Sequence, residues 1–351
     1  MTEPDAKSGM TNASHISDRP GGAGRALVTG GAGFIGSHLC DSLLQDGWEV
    51  FVLDDLSTGS IMNISHLLDR RDFHLVVDSV LSRTAVNELV HRCDVVYHLA
   101  AAVGVRVIVE EPVRTLVTNV QGTETVLEQC SRFGKRVLIA STSEVYGDHR
   151  EDRPLEESAR RIYGPTTARR WAYADSKAMD EFLALAYHAE RDLDCVIARL
   201  FNTVGPRQSS QYGMVVPTFV ERALAGAPLE IHGDGEQTRC FCHVLDTVRA
   251  LRALMDGEGL SGDIFNVGSS NRISINDLAG HVKALTRSGS LLVYIPYDRV
   301  YGVGIEDMLH RRPSTAKIEA AVGWAPERTL DEILADVVLE RSQSVASTPA
   351  G

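Results

Sequence analysis

The chain has 351 residues, 44% of them hydrophobic, and a formal net charge of −12, which is typical of a globular protein with one large α/β unit or two domains. Because so acidic a surface repels a phosphate backbone, nucleic acid is excluded as the expected partner. No apolar run reaches spanning length and the N-terminus lacks the pattern of a signal peptide, so we expect a cytoplasmic protein without a membrane contact. The six cysteines form no CxxC pair and no cluster with histidine, which predicts reduced thiols and no metal site.

Both ends of the chain are polar and rich in small residues, and we predict disordered tails over 1–24 and 341–351. Between them, β-branched runs alternate with longer helical stretches, the pattern of a parallel sheet wound on both faces. The predicted strands are ALVTG, WEVFVLD, FHLVVDS, DVVYHLAA, RVLIAST and LDCVIARLF, and the predicted helices span 34–46, about 83–92, 113–133 and 172–190.

The spacing of turn signals divides this organisation into two parts. Residues 25–205 carry the regular alternation and predict a Rossmann-type domain. From about 206 the spacing becomes irregular, which predicts a smaller C-terminal α/β substrate lobe over 206–340. We expect this lobe to lie over the carboxyl ends of the strands, where such sheets bind ligands.

A glycine-rich turn follows the first predicted strand. Gly30, Gly33 and Gly36 have the spacing G-x-x-G-x-x-G, and a helix follows them. Such a turn lets the backbone approach a pyrophosphate and packs a helix closely on a strand. Asp54 ends the next strand, where a carboxylate accepts hydrogen bonds from ribose hydroxyls and repels a 2′-phosphate. The motif therefore predicts NAD rather than NADP, with a simple turn residue as the alternative for Asp54.

A tyrosine and a lysine stand four residues apart at Tyr173 and Lys177. In a helix both side chains lie on one face. Since an unperturbed tyrosine is a poor base at neutral pH, a nearby ammonium that favours the phenolate would lower its pKa toward the working range. The pair predicts a general base.

With these two motifs, the chain over about residues 25–335 resembles the extended short-chain dehydrogenase/reductase family. The resemblance implies that NAD binds at the glycine turn, that the acid at the end of the third strand reaches adenine, and that the stretch from His98 to Ala101 runs beside the cofactor. Taken by itself, His98 is expected to be a packed core histidine. By this likeness the further cofactor-site residues are Phe34, Ile35, Asp78, Ser79, Leu99, Ala100, Ala101 and the structural asparagine Asn119.

The resemblance is close to the nucleotide-sugar epimerases, dehydratases and decarboxylases, which all begin by oxidising C4 of the sugar to a ketone. It implies that the Thr142 hydroxyl binds the sugar oxygen and that Tyr173 takes the hydroxyl proton while hydride leaves for NAD. Lys177 would also bind the nicotinamide ribose.

The C-terminal half resembles the substrate side of the same family. Arg199-Leu-Phe-Asn202-Thr-Val-Gly-Pro implies that Asn202 contacts the diphosphate of a UDP-sugar. Arg239, together with Arg311 or Arg312 in the turn after His310, would clamp the same group, because guanidinium forks match phosphate oxygens. The alternative for each arginine is a solvated surface charge, and the choice between Arg311 and Arg312 stays open.

The fate of the ketone depends on the segment that follows Thr142. Ser143 replaces the aspartate of glucose-type dehydratases, while Glu144 is retained as either a catalytic or a hydrogen-bonding group. Arg106 could meet a sugar carboxylate in a loop that resembles those of epimerases. We therefore predict a 4-epimerase acting on UDP-glucuronate or UDP-glucose, with UDP-glucuronate decarboxylase and then NDP-sugar 4,6-dehydratase as alternatives. A non-enzymatic NAD-binding scaffold is disfavoured, since such proteins usually lose the tyrosine or the lysine.

Relatives of this kind usually dimerise through two helices per subunit. The candidates are 113–133 and 172–190, both amphipathic. A homodimer built on a four-helix bundle is therefore expected, with packing against the sheet alone as the alternative.

Overall fold

A computed structural model of the chain describes residues 23–103, 111–151, 153–211, 213–296, 299 and 311–347. Its strands are β1 (Arg25–Thr29), β2 (Glu49–Leu53), β3 (Phe73–Val76), β4 (Val95–His98), β5 (Arg136–Thr142), β6 (Cys195–Leu200), β7 (Thr203–Val204), β8 (Leu229–His232), β9 (Thr238–Cys240), β10 (Cys242–His243), β11 (Asp263–Val267), β12 (Arg272–Ser274) and β13 (Leu292–Ile295). Its helices are α1 (Phe34–Gln45), α2 (Arg83–Arg92), α3 (Pro112–Phe133), α4 (Trp171–Arg191), α5 (Val215–Leu224), α6 (Val244–Asp256), α7 (Ile275–Thr286), α8 (Ala316–Val322) and α9 (Leu330–Ser347).

The central sheet has seven parallel strands in the order β3-β2-β1-β4-β5-β6-β11. Its first six strands have the order of a dinucleotide-binding Rossmann fold. The predicted Rossmann-type sheet is therefore confirmed, and the predicted strands and helices of the N-terminal half match the observed ones to within a few residues.

Both faces of this sheet are buried because successive side chains along each strand point to opposite sides. Ala26 and Val28 of β1 belong to the core that also includes Leu39 of α1 and Leu251 of α6. Leu27, between them, belongs to the core on the other face, with residues of α2, α3 and α4. This double burial explains the nearly continuous apolar runs in the sequence.

The second half of the chain is divided between the two lobes. Strand β11 joins the central sheet beside β6, and α6 packs against α1, β5 and β6. Helix α8 also packs on β11, so the lobe predicted over 206–340 contributes one strand and two helices to the Rossmann domain. The sequence pattern missed this return because a single five-residue strand carries little periodicity. The remaining elements enclose a separate core built from α5, α7, α9 and β8.

At the C-terminus the predicted boundary is wrong. Helix α9 continues to Ser347, whereas a disordered tail was predicted from 341. Its apolar residues up to Val338 pack against α5 and α7, and at the predicted boundary Arg341 donates to the Gln208 carbonyl oxygen and pairs with Glu221. The tail predicted over 1–24 lies outside the described residues except for 23 and 24. None of the helices described is long and apolar enough to cross a membrane.

Candidate active site

The glycine turn between β1 and α1 leaves no room for side chains. Gly30 has φ +74°, and a Cβ there would lie 2.8 Å from the amide nitrogen of Ala100. A Cβ on Gly36 would lie 2.1 Å from the carbonyl oxygen of Gly30. Gly33 caps α1 without a side chain, so the first amides of the helix face the adjoining cavity as an anion site. Phe34 and Ile35 line the same wall.

The buried Asp54 side chain stabilises the glycine turn. It is 7% exposed, and its two carboxylate oxygens accept the backbone amides of Ala32 at 2.9 Å and Leu56 at 2.8 Å. Burial raises the pKa of the carboxyl, and these two amides oppose the rise. Asp54 therefore fixes the glycine turn against the β2 loop, and its predicted ribose contact would use the remaining lone pairs.

The other predicted cofactor residues fall into two groups. Leu99 and Ala101 line the cavity just after β4, and Ala100 packs on the glycine turn. Asp78 and Ser79 lie at the end of β3, where Asp78 is exposed and accepts the Ser79 amide at 2.7 Å. Their contact with adenine stays a prediction.

Asn119 and His98 are both buried behind the site. Asn119 accepts the amide of Ala102 at 2.8 Å and donates to the Ser176 hydroxyl at 3.0 Å, so it ties the β4 loop to α4. His98 lies between the hydroxyls of Thr29 and Thr123, at 2.7 and 3.0 Å. Burial lowers the pKa of His98 to about 3, which makes it a neutral core histidine, as expected from the sequence.

A single cavity of about 910 Å³ joins the glycine turn to the C-terminal lobe. Its walls come from the carboxyl ends of β4, β5 and β6 on one side and from α5, β8 and β9 on the other. This is the position at which doubly wound sheets bind ligands. The predicted site residues that line it are Gly33, Phe34, Ile35, Gly36, Leu99, Ala101, Thr142, Ser143, Glu144, Tyr173, Lys177, Asn202, Arg239 and Arg311.

Tyr173 and Lys177 lie on one face of α4, as their spacing predicted, and both are buried at the cavity wall. Thr142 ends β5, and its hydroxyl lies close enough to Tyr173 to lower the pKa of the phenol, against the larger effect of burial. A tyrosine, a hydroxyl and a lysine thus converge on one point of the cavity.

The electrostatics of Tyr173 differ from the sequence-based expectation. Burial raises the pKa of its phenol, and the carboxylates of Glu144 and Asp180 raise it further. The Lys177 ammonium, which was expected to lower it, instead donates to Asp180 at 2.6 Å. Without a positive charge beside it, Tyr173 is therefore a neutral phenol.

Glu144 and Arg311 contact each other in the wall of the cavity. The Arg311 Nη1 atom lies 3.4 Å from Glu144 Oε1, with 13% and 23% of the two side chains exposed. Arg312 does not line the cavity, and its carbonyl oxygen instead accepts the Leu155 amide at 2.8 Å. Of the pair that the sequence left open, Arg311 is the one that lines the cavity, and its contact with a diphosphate stays a prediction. Ser143, beside Glu144, is 2% exposed.

The remaining predicted substrate residues line the same cavity or lie outside the described residues. Asn202 has φ +27°, and its side-chain amide donates to the Cys240 carbonyl at 3.0 Å, so it joins β6 to the second lobe. Arg239 lines the cavity from β9. Arg106 and His310 lie outside the part of the chain that is described.

Sequence reasoning missed Arg170, which also lines the cavity. It precedes α4 by one residue, three positions before Tyr173, and its guanidinium lies 5.5 Å from the ring centroid of Trp171. The i, i+3 spacing from the predicted base would have placed it on the same helix face. Arg199, the first residue of the Arg199–Asn202 motif, is instead a buried partner of Glu181 at 2.7 Å.

Comparison with known proteins agrees with this geometry. The NAD dependent epimerase/dehydratase family matches residues 26–268. The chain is 38% identical to the UDP-N-acetyl-alpha-D-glucosaminuronate decarboxylase of Bacillus cytotoxicus, over 90% of this chain and 96% of that one. It is 37% identical to UDP-glucuronic acid decarboxylase 1 of Xenopus tropicalis, over 88% and 70%.

A solved structure of UDP-glucuronic acid 4-epimerase from Bacillus cereus, in complex with UDP-glucuronic acid and NAD, superposes with a TM-score of 0.80 at 27% identity, covering 91% of this chain and 99% of that one. The glycine turn and the Tyr173–Lys177 helix both fall within the 26–268 match. The chain therefore belongs to the NAD dependent epimerase/dehydratase family, and NAD is its cofactor.

Proposed function

We propose that the protein is a UDP-hexuronate decarboxylase that oxidises its substrate at C4, releases C6 as CO2 and reduces the ketone again. The observation that carries the proposal is the Glu144–Arg311 pair, which faces the cavity beside Tyr173. Similar proteins also support the proposal, because two relatives that are 37–38% identical over most of the chain are decarboxylases of UDP-hexuronates. The epimerase predicted from sequence becomes the second candidate.

In the first half of the reaction, Tyr173 takes the proton of the C4 hydroxyl and Thr142 orients that hydroxyl by a hydrogen bond. Bound NAD⁺ supplies the hydride acceptor and a positive nicotinamide ring, which favours the tyrosine phenolate over the neutral form. This positive charge would oppose the rise in the Tyr173 pKa that burial and the Glu144 and Asp180 carboxylates cause. The product of the step is a 4-keto sugar whose carboxylate is β to the ketone.

In the second half of the reaction, the C5–C6 bond breaks. Its electron pair becomes the C4–C5 enolate, CO2 leaves, and C5 then receives a proton. Tyr173 afterwards returns its proton to O4 as hydride returns to C4. Charge therefore moves from the carboxylate to O4 during CO2 loss.

A fully charged guanidinium on the carboxylate would oppose this movement, because it stabilises the ground state more than the transition state. The contact with Glu144 offsets part of the Arg311 charge. Arg311 and Arg170 then orient the carboxylate, while Glu144, an acid–base group of the same wall, takes up a proton from solvent and passes it to C5.

The epimerase candidate has its own support in the likeness to the Bacillus cereus 4-epimerase. An epimerase rotates the ketone and returns hydride to the opposite face, which requires no acid or base other than Tyr173. The two candidates therefore differ in whether Glu144 takes part and in whether the substrate loses mass.

The proposal is tested by incubating the purified protein with NAD and with UDP-glucuronate or UDP-N-acetylglucosaminuronate, followed by mass spectrometry. We expect a product lighter by one CO2 from at least one of the two. A product of unchanged mass but altered C4 stereochemistry would establish the epimerase instead, and loss of water would indicate a dehydratase. UDP-glucose, which has no carboxylate, is the matched control substrate.

Exposed apolar side chains on α3 and α4 support the expected homodimer. Val113 and Leu116 are 74% and 39% exposed, and Met179 and Phe182 are 47% and 58% exposed. The two helices pack against each other, so a second copy of the same pair would bury these side chains in a four-helix bundle. Phe182→Glu should give a monomer in light scattering, while a wild-type chain that is already monomeric would refute the assembly.

A further inference from the structure

Asp180 lies one helical turn after Lys177 and is 0% exposed. Its Oδ2 atom accepts the Lys177 ammonium at 2.6 Å, and the side chains of the two residues are 0% and 3% exposed. Lys177 reaches the cavity wall, whereas Asp180 is buried behind it. Asp180 therefore cannot touch substrate and acts on the site only through its neighbour.

A buried ammonium is strongly disfavoured unless an opposite charge accompanies it. Both side chains of this pair are shielded from solvent, so the Asp180 carboxylate is the group that stabilises the charged form of Lys177. Without it, the lysine would give up its proton at a lower pH, because the desolvated charged form would have lost its compensation.

Among the described neighbours of Lys177, the other titratable groups are neutral or paired elsewhere, and Asp180 compensates its charge. On its own helix, Glu181 is committed to Arg199 at 2.7 Å. From β4, His98 is neutral, because burial lowers its pKa to about 3. Burial raises the pKa of the Asp180 carboxyl, and the Lys177 ammonium and the Thr123 hydroxyl of α3 oppose that rise; Oδ1 has no well-formed hydrogen bond among the described residues.

We propose that Asp180 is a positioning residue, the buried counter-ion that keeps Lys177 charged and fixed beside Tyr173. The inference rests on the proposed roles of Tyr173 and Lys177 in catalysis. It adds a third member to the pair that the sequence motif names, at the position i+3 from the lysine.

Nuclear magnetic resonance of the lysine side chains tests the charge directly and without turnover. The chain has only five lysines, so labelling lysine with ¹³C at Cε gives a readable spectrum, and Lys177→Met assigns the signal. In Asp180→Asn the titration midpoint of the Lys177 signal should fall by about one pH unit or more. Asp175→Asn is the matched control, since Asp175 is an exposed carboxylate of the same helix, paired with Arg161. An unchanged midpoint in Asp180→Asn, or an equal shift in Asp175→Asn, would overturn the inference.

The pH profile of kcat provides the functional readout. The alkaline limb should move to lower pH in Asp180→Asn, because Lys177 then loses its charge earlier. A uniform drop in kcat with an unmoved limb would assign Asp180 a merely structural role and refute the proposal. If the wild-type protein turns over no UDP-hexuronate, the proposed function fails, while the lysine titration still decides on Asp180.

A stability comparison covers the case in which Asp180→Asn does not fold. Lys177→Met leaves a buried carboxylate without its partner, and Lys177→Met/Asp180→Leu removes both charges. The double variant should therefore have a higher Tm than Lys177→Met. An equal or lower Tm would contradict a counter-ion role.

Discussion

Replacing Glu144 with glutamine is the sharpest perturbation of the proposed chemistry. The amide keeps the size of the side chain and can still contact Arg311, but it can neither pass a proton from solvent to C5 nor offset the guanidinium charge. The C5–C6 cleavage and the C5 protonation should therefore slow, while the first oxidation at C4 should not.

The structure sets the size of each effect. The Glu144–Arg311 contact is long, at 3.4 Å, and partly exposed, so its loss should cost the fold only about 1 kcal/mol or less. Loss of a positioned acid–base group lowers turnover by about 10²–10⁴-fold. Glu144 also raises the pKa of Tyr173, so the variant should form the tyrosine phenolate more easily and shift the acidic limb of the oxidation step to lower pH.

A single-turnover experiment separates the two halves of the reaction. Enzyme loaded with NAD is mixed with UDP-glucuronate, NADH is followed by absorbance, and the sugar is sampled by mass spectrometry. Glu144→Gln should accumulate NADH and 4-keto sugar. Decarboxylation at the wild-type rate in this variant, with its Tm unchanged, would refute the role given to Glu144.

Three further outcomes follow from the site and its supports. Tyr173→Phe should abolish both NADH formation and product release with either hexuronate, and an active variant would remove the general base from the mechanism. Gly36→Ala should lose NAD binding in calorimetry while the sheet survives, because its Cβ would lie 2.1 Å from the Gly30 carbonyl oxygen. His98 has its pKa lowered to about 3, so the unfolded state binds the proton first as pH falls below about 6.5. The contribution of His98 to the free energy of unfolding is fully present above that pH, and we expect about 2 kcal/mol of it to be lost by pH 5. Urea unfolding measures this loss, which should be absent in a folded His98→Gln variant.

The sequence patterns that succeeded are those in which local chemistry decides the structure. Strand β1 is apolar on both faces, so its burial between two helical layers follows from composition alone. Gly30 and Gly36 occur where any side chain would meet backbone atoms, and this makes the turn recognisable from spacing. The Tyr173–Lys177 helix face follows from helical periodicity.

What could not be predicted depends on contacts between distant segments. Arg311 and Arg312 are neighbours in a turn, and only its docking beside Leu155 decides which one faces Glu144. The Lys177 charge was assigned to Tyr173 because the sequence shows spacing but not the burial of Asp180. Strand β11 joins the central sheet through pairing with β6, a contact that no local pattern encodes.

The central claim is that the hexuronate carboxylate leaves as CO2. UDP-glucuronate labelled with ¹³C at C6 is incubated with the protein and NAD, and the label is followed by nuclear magnetic resonance together with the sugar product. We predict that labelled carbon dioxide and bicarbonate appear in equal amount to a UDP-pentose. Retention of all the label in a UDP-hexuronate with inverted C4 would contradict the decarboxylase and establish the epimerase.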